Sequence, residues 1–143
     1  RVKCPMGLRR IDKIITQPYP GFPTDSQALF TTLTSVARGT SVIVENIFES
    51  RFKHVPELVR MGAKIRAEGR VAVVEGVNSL YGADVLSPDL RGGAALVVAG
   101  LCAEGVTTVG NVGFIDRGYE NLSQNLCVLN GDIRLSISGE GKN

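Results

Sequence analysis

Hydrophobic and polar positions alternate over several short stretches of the chain, and between them apolar residues recur at the three- and four-residue spacing of a helix. Alternation with a period of two is typical of β-strands, whereas the wider spacing is typical of amphipathic helices. The predicted strands lie at 10–16, 40–47, 63–69, 70–76, 81–88, 106–112 and 132–138. The predicted helices lie at 24–39, 54–62, 89–105 and 119–131. Strands and helices that alternate in this way indicate the α/β class.

Cap residues predict where two of these helices begin and end. Thr24 and Gln27 have the spacing of a capping box, and Gly39 supplies a left-handed residue at the other end of the same helix. Asp89 is expected to cap the helix over 89–105. That helix reads "GGAALVVAGLCA" and is apolar nearly all round, which is typical of a buried helix. We therefore expect Cys102 to belong to the core.

The chain contains an internal repeat. Two of the predicted helices end on a glycine that is followed by Phe nine residues later and by Arg twelve residues later. The matching positions are Gly39, Phe48 and Arg51 in the first copy and Gly105, Phe114 and Arg117 in the second. The pattern predicts roughly two β-α-β-α-β-β units, at about 9–76 and about 80–139. Such units bury their apolar faces against one another, so we expect long helices inside a ring of sheets.

Composition and charge exclude several classes of protein. The 143 residues are 43% hydrophobic, which suffices for the core of one domain or part of one. A net charge of +2, without a basic run, indicates neither a nucleic acid nor a membrane partner. Three cysteines without CxxC spacing favour free thiols in a reducing cytoplasm over disulfides or zinc. The sequence shows no phosphate-binding glycine loop and no metal-ligand cluster, so no cofactor or metal is expected.

Three arginines are candidate anion ligands. Arg51 and Arg117 occupy equivalent positions, each in a loop between a strand and a short helix. Arg91 falls in the first turn of the buried helix, where a cation opposes the helix dipole and therefore needs another reason to be present. Guanidinium groups bind carboxylate and phosphate through two parallel hydrogen bonds. The alternative is an intrachain ion pair, which for Arg91 would involve Asp89 or Asp116.

Asp25 and His54 have both structural and chemical interpretations. Asp25 lies in "PGFPTDSQ", just ahead of a helix, where an acidic side chain stabilises the helix dipole. Taken alone, this position favours a cap over a catalytic carboxylate. His54 is the single histidine of the chain and follows Arg51 by three residues. A lone histidine indicates no particular chemistry, so a structural role is predicted for it.

Four blocks of sequence resemble the C-terminal portion of the UDP-N-acetylglucosamine 1-carboxyvinyltransferase family of enolpyruvyl transferases. They are "PGFPTDSQ", "ENIFESRFKHVPELVRMGA", "DLRGGAALVVAGL" and "IDRGYE", in the order of the family. The similarity extends from about residue 9 to about residue 134. The resemblance implies an inside-out α/β barrel domain, of which residues 1–143 would supply about two repeats.

The resemblance also implies an activity and a set of site residues. The family transfers the enolpyruvyl group of phosphoenolpyruvate to the 3′-hydroxyl of UDP-N-acetylglucosamine and releases phosphate, the first committed step of peptidoglycan synthesis. Asp25 matches the aspartate that contacts this hydroxyl and takes its proton, and Ile47 matches an aliphatic contact of the UDP-sugar. Arg51, Arg91 and Arg117 match the arginines around phosphoenolpyruvate. The implied location is the cytoplasm.

The sequence departs from the family in several places. It contains neither the Gly-rich loop with the catalytic cysteine nor the Lys–Asn pair, and Cys4 does not match that cysteine. Phe114 replaces the usual His before "IDRGYE", and "LNG" at 129–131 replaces "LGA". We therefore expect an N-terminal segment or domain of the same enzyme as a partner, and no turnover by residues 1–143 alone. The alternatives are a non-catalytic fragment or paralogue and the sister shikimate-3-phosphate enzyme.

Overall fold

The structure, a computed structural model, describes residues 7–136. Within them the strands are β1 Lys13–Ile15, β2 Thr40–Val44, β3 Lys64–Glu68, β4 Val71–Glu75, β5 Asp84–Leu86 and β6 Thr108–Gly110. The helices are α1 Gln27–Ser35, α2 Val55–Arg60, α3 Leu90–Cys102, α4 Gly113–Asp116 and α5 Leu122–Val128. One turn of 3-10 helix, Thr24–Ser26, precedes α1. The α/β class predicted from the alternation of patterns is confirmed.

The first strands form a mixed sheet in the order β1-β2-β4-β3. β1 and β2 are parallel, with Ile14 opposite Ile43, and a parallel pair needs a crossover, which α1 provides. β3 and β4 form an antiparallel hairpin whose turn includes Gly69 at φ +55°. This hairpin confirms the pair of strands predicted at 63–69 and 70–76. The element order β1-α1-β2-α2-β3-β4 is that of the predicted unit.

The second half of the described chain repeats the start of this arrangement. β5 and β6 are parallel, with Val85 opposite Val109, and α3 is the crossover between them. The first residue after β1 and the first after β5 make the same backbone bond, from Thr16 N to Val44 O at 2.9 Å and from Ser87 N to Gly110 O at 3.0 Å. The division into repeats at about 9–76 and about 80–139 stays a prediction.

The two crossover helices lie together inside the molecule. α1 packs against α3 on one side and against β2 and β4 on the other, and α3 also contacts β6. The α3 backbone comes close to β5 at Gly93, where an added Cβ would lie 2.1 Å from the Ser87 hydroxyl. The residues of the core beside α3 are Leu58, Met61, Ala63, Leu80, Val85, Leu96 and Ala99. Burial of most of α3 confirms the interpretation of its apolar sequence.

The helix predicted over 24–39 is shorter than expected. α1 ends at Ser35 because the chain is already extended at Arg38, whose N–H donates to Leu8 O at 2.9 Å. Gly39 has a φ of +104°, but it lies before β2 rather than at the helix end. The predicted capping box is wrong, since the Thr24 hydroxyl donates to Glu45 and no side chain caps α1.

Three further expectations from the sequence are wrong. Cys102 is exposed, because it is the last residue of α3 and lies beyond the buried part of that helix. The helix predicted over 119–131 spans Leu122–Val128, and it begins after Asn121, which has a φ of +50°. Residues 132–136 form no strand, because nothing in the described range pairs with them. The rest of that predicted strand and Cys4 lie outside the described residues.

Candidate active site

Asp25 and two arginines from different parts of the chain meet at one end of the crossover helices. The 3-10 turn after Pro23 holds Asp25 with its side chain 61% exposed. Asp25 Oδ1 lies 2.5 Å from Arg91 Nε and 3.9 Å from Arg51 Nη2. The Asp25 carboxylate is therefore accessible to a ligand while it contacts two guanidinium groups.

The position of Arg91 is explained by this contact. Asp89 caps α3 as predicted, with its Oδ1 accepting a hydrogen bond from Gly92 N at 2.8 Å. Arg91 follows in the first turn, and its side chain crosses to Asp25. The predicted partners Asp89 and Asp116 are wrong, because Asp89 is engaged by the helix N-terminus and the guanidinium reaches the acid on the neighbouring turn instead. The ion pair offsets the unfavourable location of a cation at a helix N-terminus.

Arg51 is held by an aromatic side chain from its own loop. Its guanidinium lies over the Phe48 ring, 4.6 Å from the centroid, and its side chain is only 19% exposed. Arg117 repeats this contact over Phe114 at 5.5 Å. The matched spacing seen in the sequence therefore produces the same cation–π pair twice.

His54 lies beneath the arginines in a small cleft. The residues lining this cleft are Thr24, Gln27, Ala28, Arg51, His54, Asp89, Arg91 and Gly92. His54 is 1% exposed, and its Nε2 has no hydrogen-bond partner within residues 7–136. Burial lowers the pKa of His54 to about 4, against the opposing effects of the Asp89 charge and a backbone hydrogen bond at Arg51. His54 is thus a neutral group in the wall of the site.

Glu45, which the sequence analysis missed, joins the two segments that carry Asp25 and Arg51. It is fully buried at the end of β2. Burial acts to raise the pKa of the carboxyl, but hydrogen bonds from Thr16, from the backbone N–H groups of Phe48 and Ile47, and from Thr24 outweigh burial and lower the pKa. The signal in the sequence was an acidic residue that directly follows the β-branched run "TSVIV".

The two remaining predicted site residues lie beside this cluster rather than in it. Ile47 is half-buried and donates its backbone N–H to Glu45 Oε1 at 2.8 Å. Arg117 is exposed and lies outside the lining of the cleft. Its neighbour Gly118 packs against Leu90 at the start of α3, so the Arg117 loop borders the same end of the helix. Asp25, Arg51 and Arg91 are thus brought together, while Arg117 is not in contact with them.

A groove of larger volume lies elsewhere. It has a volume of about 820 Å³ and is bordered by α3, β6 and residues 119–124 and 132–136. Asp25, Arg51 and Arg91 do not line it, so the candidate site is identified by its charged residues and not by the size of the cavity. Among residues 7–136 no cluster of His, Cys, Asp or Glu is suited to a metal ion. No helix in that range is long and apolar enough to span a membrane.

Comparison of the structure with solved structures identifies the class of protein. The fold matches the enolpyruvyl transferase NikO from Streptomyces tendae with a TM-score of 0.83 and 32% identity, over 90% of this chain and 30% of that one. The chain is therefore an α/β domain of the enolpyruvyl transferase type. The family model described as EPSP synthase (3-phosphoshikimate 1-carboxyvinyltransferase) matches residues 3–126, so the chain belongs to that family.

Curated relatives define the resemblance more narrowly. A UDP-N-acetylglucosamine 1-carboxyvinyltransferase of Desulfofundulus thermocisternus is 62% identical over 129 residues, which cover 90% of this chain and 53% of the relative. Another, from Symbiobacterium thermophilum, is 56% identical over 124 residues, 87% of this chain and 29% of the relative. The resemblance proposed from the four sequence blocks is confirmed. The chain spans about a third to a half of the length of these relatives.

Proposed function

We propose that the protein transfers the enolpyruvyl group of phosphoenolpyruvate to the 3′-hydroxyl of UDP-N-acetylglucosamine, with release of phosphate, in the cytoplasmic synthesis of peptidoglycan. The observation that carries the proposal is the Asp25 carboxylate in contact with the guanidinium groups of Arg51 and Arg91. An exposed base beside two fixed cations suits a reaction between a hydroxyl and an anionic substrate. The names of the curated relatives support the choice of substrates.

In this reaction Asp25 is the general base. It accepts the proton of the 3′-hydroxyl as the oxygen attacks C2 of phosphoenolpyruvate, while a separate acid donates a proton to C3, and a tetrahedral adduct results. Loss of a C3 proton and of phosphate from the adduct then restores the double bond. Asp25 is suited to this role because its carboxylate is well exposed and its direction is set by Arg91.

The arginines neutralise the phosphate and the carboxylate of phosphoenolpyruvate. Arg51 presents a nearly buried, aromatic-backed guanidinium, which loses little side-chain freedom when it binds an anion. Arg117 is assigned to the same substrate because its side chain is exposed and its neighbour Gly118 lies against Leu90 at the start of α3. Ile47 supplies an apolar contact for the UDP-sugar. These assignments use the sequence match and the location of the residues at one end of α3.

A second candidate acceptor is shikimate 3-phosphate, since the matching family model takes its description from that enzyme. The two candidates differ in the acceptor and share the chemistry at phosphoenolpyruvate. The test uses the protein expressed from its complete reading frame, phosphoenolpyruvate, and either UDP-N-acetylglucosamine or shikimate 3-phosphate. Phosphate release with UDP-N-acetylglucosamine but not with shikimate 3-phosphate supports the proposal. Release with shikimate 3-phosphate but not with UDP-N-acetylglucosamine overturns it.

A non-catalytic role would give no release with either acceptor in that assay. The polypeptide of residues 1–143 is tested by itself in the same assay, and we expect it to release no phosphate. It contains neither the Gly-rich cysteine loop nor the Lys–Asn pair that the family has near its N-terminus, and transfer requires both substrates to be fixed together away from water. Sustained release by residues 1–143 would show that those groups are dispensable.

A further inference from the structure

Glu45 is a buried carboxylate whose hydrogen bonds all go to segments of the candidate site or to the strand beside it. Its Oε1 accepts from the Thr16 hydroxyl and the Ile47 N–H, both at 2.8 Å, and from the Phe48 N–H at 3.1 Å. Its Oε2 accepts from the Thr24 hydroxyl at 2.9 Å. A buried carboxylate is tolerated when each oxygen is satisfied in this way.

These bonds connect two segments that are far apart in the sequence. Thr24 immediately precedes Asp25 in the 3-10 turn. Ile47 and Phe48 begin the loop that ends at Arg51, and the Phe48 ring lies against the Arg51 guanidinium. The Glu45 carboxylate therefore holds both the turn that carries Asp25 and the loop that carries Arg51. A hydrogen bond also runs from Asn46 N to the Thr16 hydroxyl at 2.8 Å, which adds β1 to the same network.

The second repeat shows that the strand pairing does not need this carboxylate. Asn111 occupies the position equivalent to Glu45, six residues after the matching glycine, Gly39 or Gly105, in each copy. The backbone bond that precedes it, from Ser87 N to Gly110 O, has the same length within 0.1 Å as its counterpart at Thr16. The parallel pair thus forms equally well with an amide at that position. The carboxylate is found in the copy that carries Asp25.

We propose that Glu45 is a positioning residue, which holds the Asp25 turn and the 46–51 loop at the separation that enolpyruvyl transfer requires. This inference rests on the proposed function. It assigns to Glu45 no contact with substrate, since the side chain is fully buried behind the turn. Its effect reaches the reaction through Thr24 on one side and through Ile47 and Phe48 on the other.

The test uses variants of Thr24 and Glu45 in the protein expressed from its complete reading frame. A variant of Thr24 breaks only the bond to the Asp25 turn, whereas a variant of Glu45 affects the bonds to the turn and to the 46–51 loop. Thr24→Val removes the hydroxyl that binds Glu45 while it keeps the shape of the side chain, and Thr24→Ser restores the hydroxyl. Glu45→Gln keeps the shape and removes the charge. Glu75→Gln is the matched control, because Glu75 also accepts a hydrogen bond, from Lys64 at 3.2 Å, but is 60% exposed on β4.

We expect Thr24→Val to lower kcat by roughly 10- to 100-fold, since a misplacement of about 1 Å has this effect, with KM for both substrates within about twofold. Thr24→Ser and Glu75→Gln should keep kcat within about twofold of the wild type. Glu45→Gln should lower kcat at least as far as Thr24→Val, and the double variant no further than Glu45→Gln, because both changes break one network. Loss of stability alone would lower the unfolding temperature and leave kcat of the folded protein unchanged.

Equal kcat values for Thr24→Val and Thr24→Ser would overturn the proposal, as would additive losses in the double variant. A crystal structure of Thr24→Val provides a readout that does not depend on the reaction. The proposal requires a shift of the Asp25 carboxylate relative to Arg51, and an unchanged separation would refute it even if the wild type used neither acceptor. Failure of the proposed function, in contrast, would be seen in the wild type alone.

Discussion

The Asp25 carboxylate forms an ion pair with Arg91, with Oδ1 2.5 Å from Nε, although Asp25 precedes α1 and Arg91 lies in α3. The contact exists because α1 and α3 pack together and place their N-terminal ends side by side. It links the residue assigned as the base to a residue assigned to phosphoenolpyruvate. We therefore expect an anion bound by Arg91 to affect the direction of the Asp25 carboxylate, and the proposed chemistry to depend on both crossover helices.

Asp25→Asn should lower kcat by about 100-fold or more while the fold and the affinity for UDP-N-acetylglucosamine stay nearly unchanged, the magnitude expected for loss of a general base. The amide keeps the shape of the side chain but cannot take the hydroxyl proton. Asp12→Asn is the control, since Asp12 is also an exposed aspartate in an arginine pair, with Arg10 at 3.0 Å. Phosphate release and calorimetry of the sugar measure the two effects. Turnover near that of the wild type would show that the reaction needs neither proton transfer to Asp25 nor its charge, and would leave the residue with a structural role only.

Arg117→Lys should raise KM for phosphoenolpyruvate by roughly tenfold or more and leave the Kd of UDP-N-acetylglucosamine unchanged, because lysine keeps the charge and loses the planar fork. Arg66→Lys, on the exposed face of β3, is the matched control. The rate of phosphate release at varied phosphoenolpyruvate concentration gives the KM, and calorimetry of UDP-N-acetylglucosamine binding gives the Kd. Weaker sugar binding with normal use of phosphoenolpyruvate would reassign Arg117 to the other substrate.

Asp89→Ala should reduce the free energy of unfolding by about 1 kcal/mol, because the Gly92 N–H loses its acceptor at the start of α3. Asp89→Ser should retain most of that stability, since a serine hydroxyl also caps a helix. Asp84→Ala, at an exposed position of β5, is the control for loss of an aspartate. Urea unfolding measures the differences. Identical stabilities of the Ala and Ser variants would show that the cap contributes nothing measurable.

His54 makes the stability depend on pH in a defined window. Its pKa is about 4 in the folded protein and 6.5 in the unfolded chain, so the unfolded state binds more protons between these values. The free energy of unfolding should therefore fall as the pH drops from about 6.5 toward 4, by up to about 3 kcal/mol. His54→Asn should remove this part of the dependence. The pKa of Glu45 is lowered from 4.5, so the stability that Glu45 contributes is present above that pH and is lost as the pH falls below it.

Urea unfolding of the wild type and His54→Asn at about pH 7 and about pH 5 tests this linkage, because the unfolded histidine is neutral at the first pH and charged at the second. The difference in stability between the two proteins should change with pH in favour of the variant at the lower pH. Parallel pH dependences would mean that His54 titrates alike in the folded and unfolded states, and that its burial does not affect its charge.

Most elements of this fold could be predicted from local patterns. The alternation in "RIDKIIT", the paired strands around Gly69 and the cap at Asp89 are local properties, and the structure has them within the ranges that the sequence predicted. The spacing of Phe and Arg after Gly39 and after Gly105 also predicted an equivalence that the two cation–π pairs display. Patterns of this kind survive folding because they depend on neighbours within a few residues.

The tertiary structure decided what depends on contacts between distant segments. Thr24 had the spacing of a helix cap, but its hydroxyl donates to the charged carboxylate of Glu45, which directly follows β2. A hydrogen bond to a charged acceptor is stronger than one to a neutral group. Asp89 and Asp116 were the predicted partners of Arg91, and the packing of α1 on α3 brought it to Asp25 instead. The sequence showed Glu45 only as an acidic residue after a β-branched run. Its burial and its four hydrogen-bond donors are properties of the folded chain. Sequence spacing specifies which groups a segment carries, whereas their partners depend on which distant backbones pack within hydrogen-bonding reach.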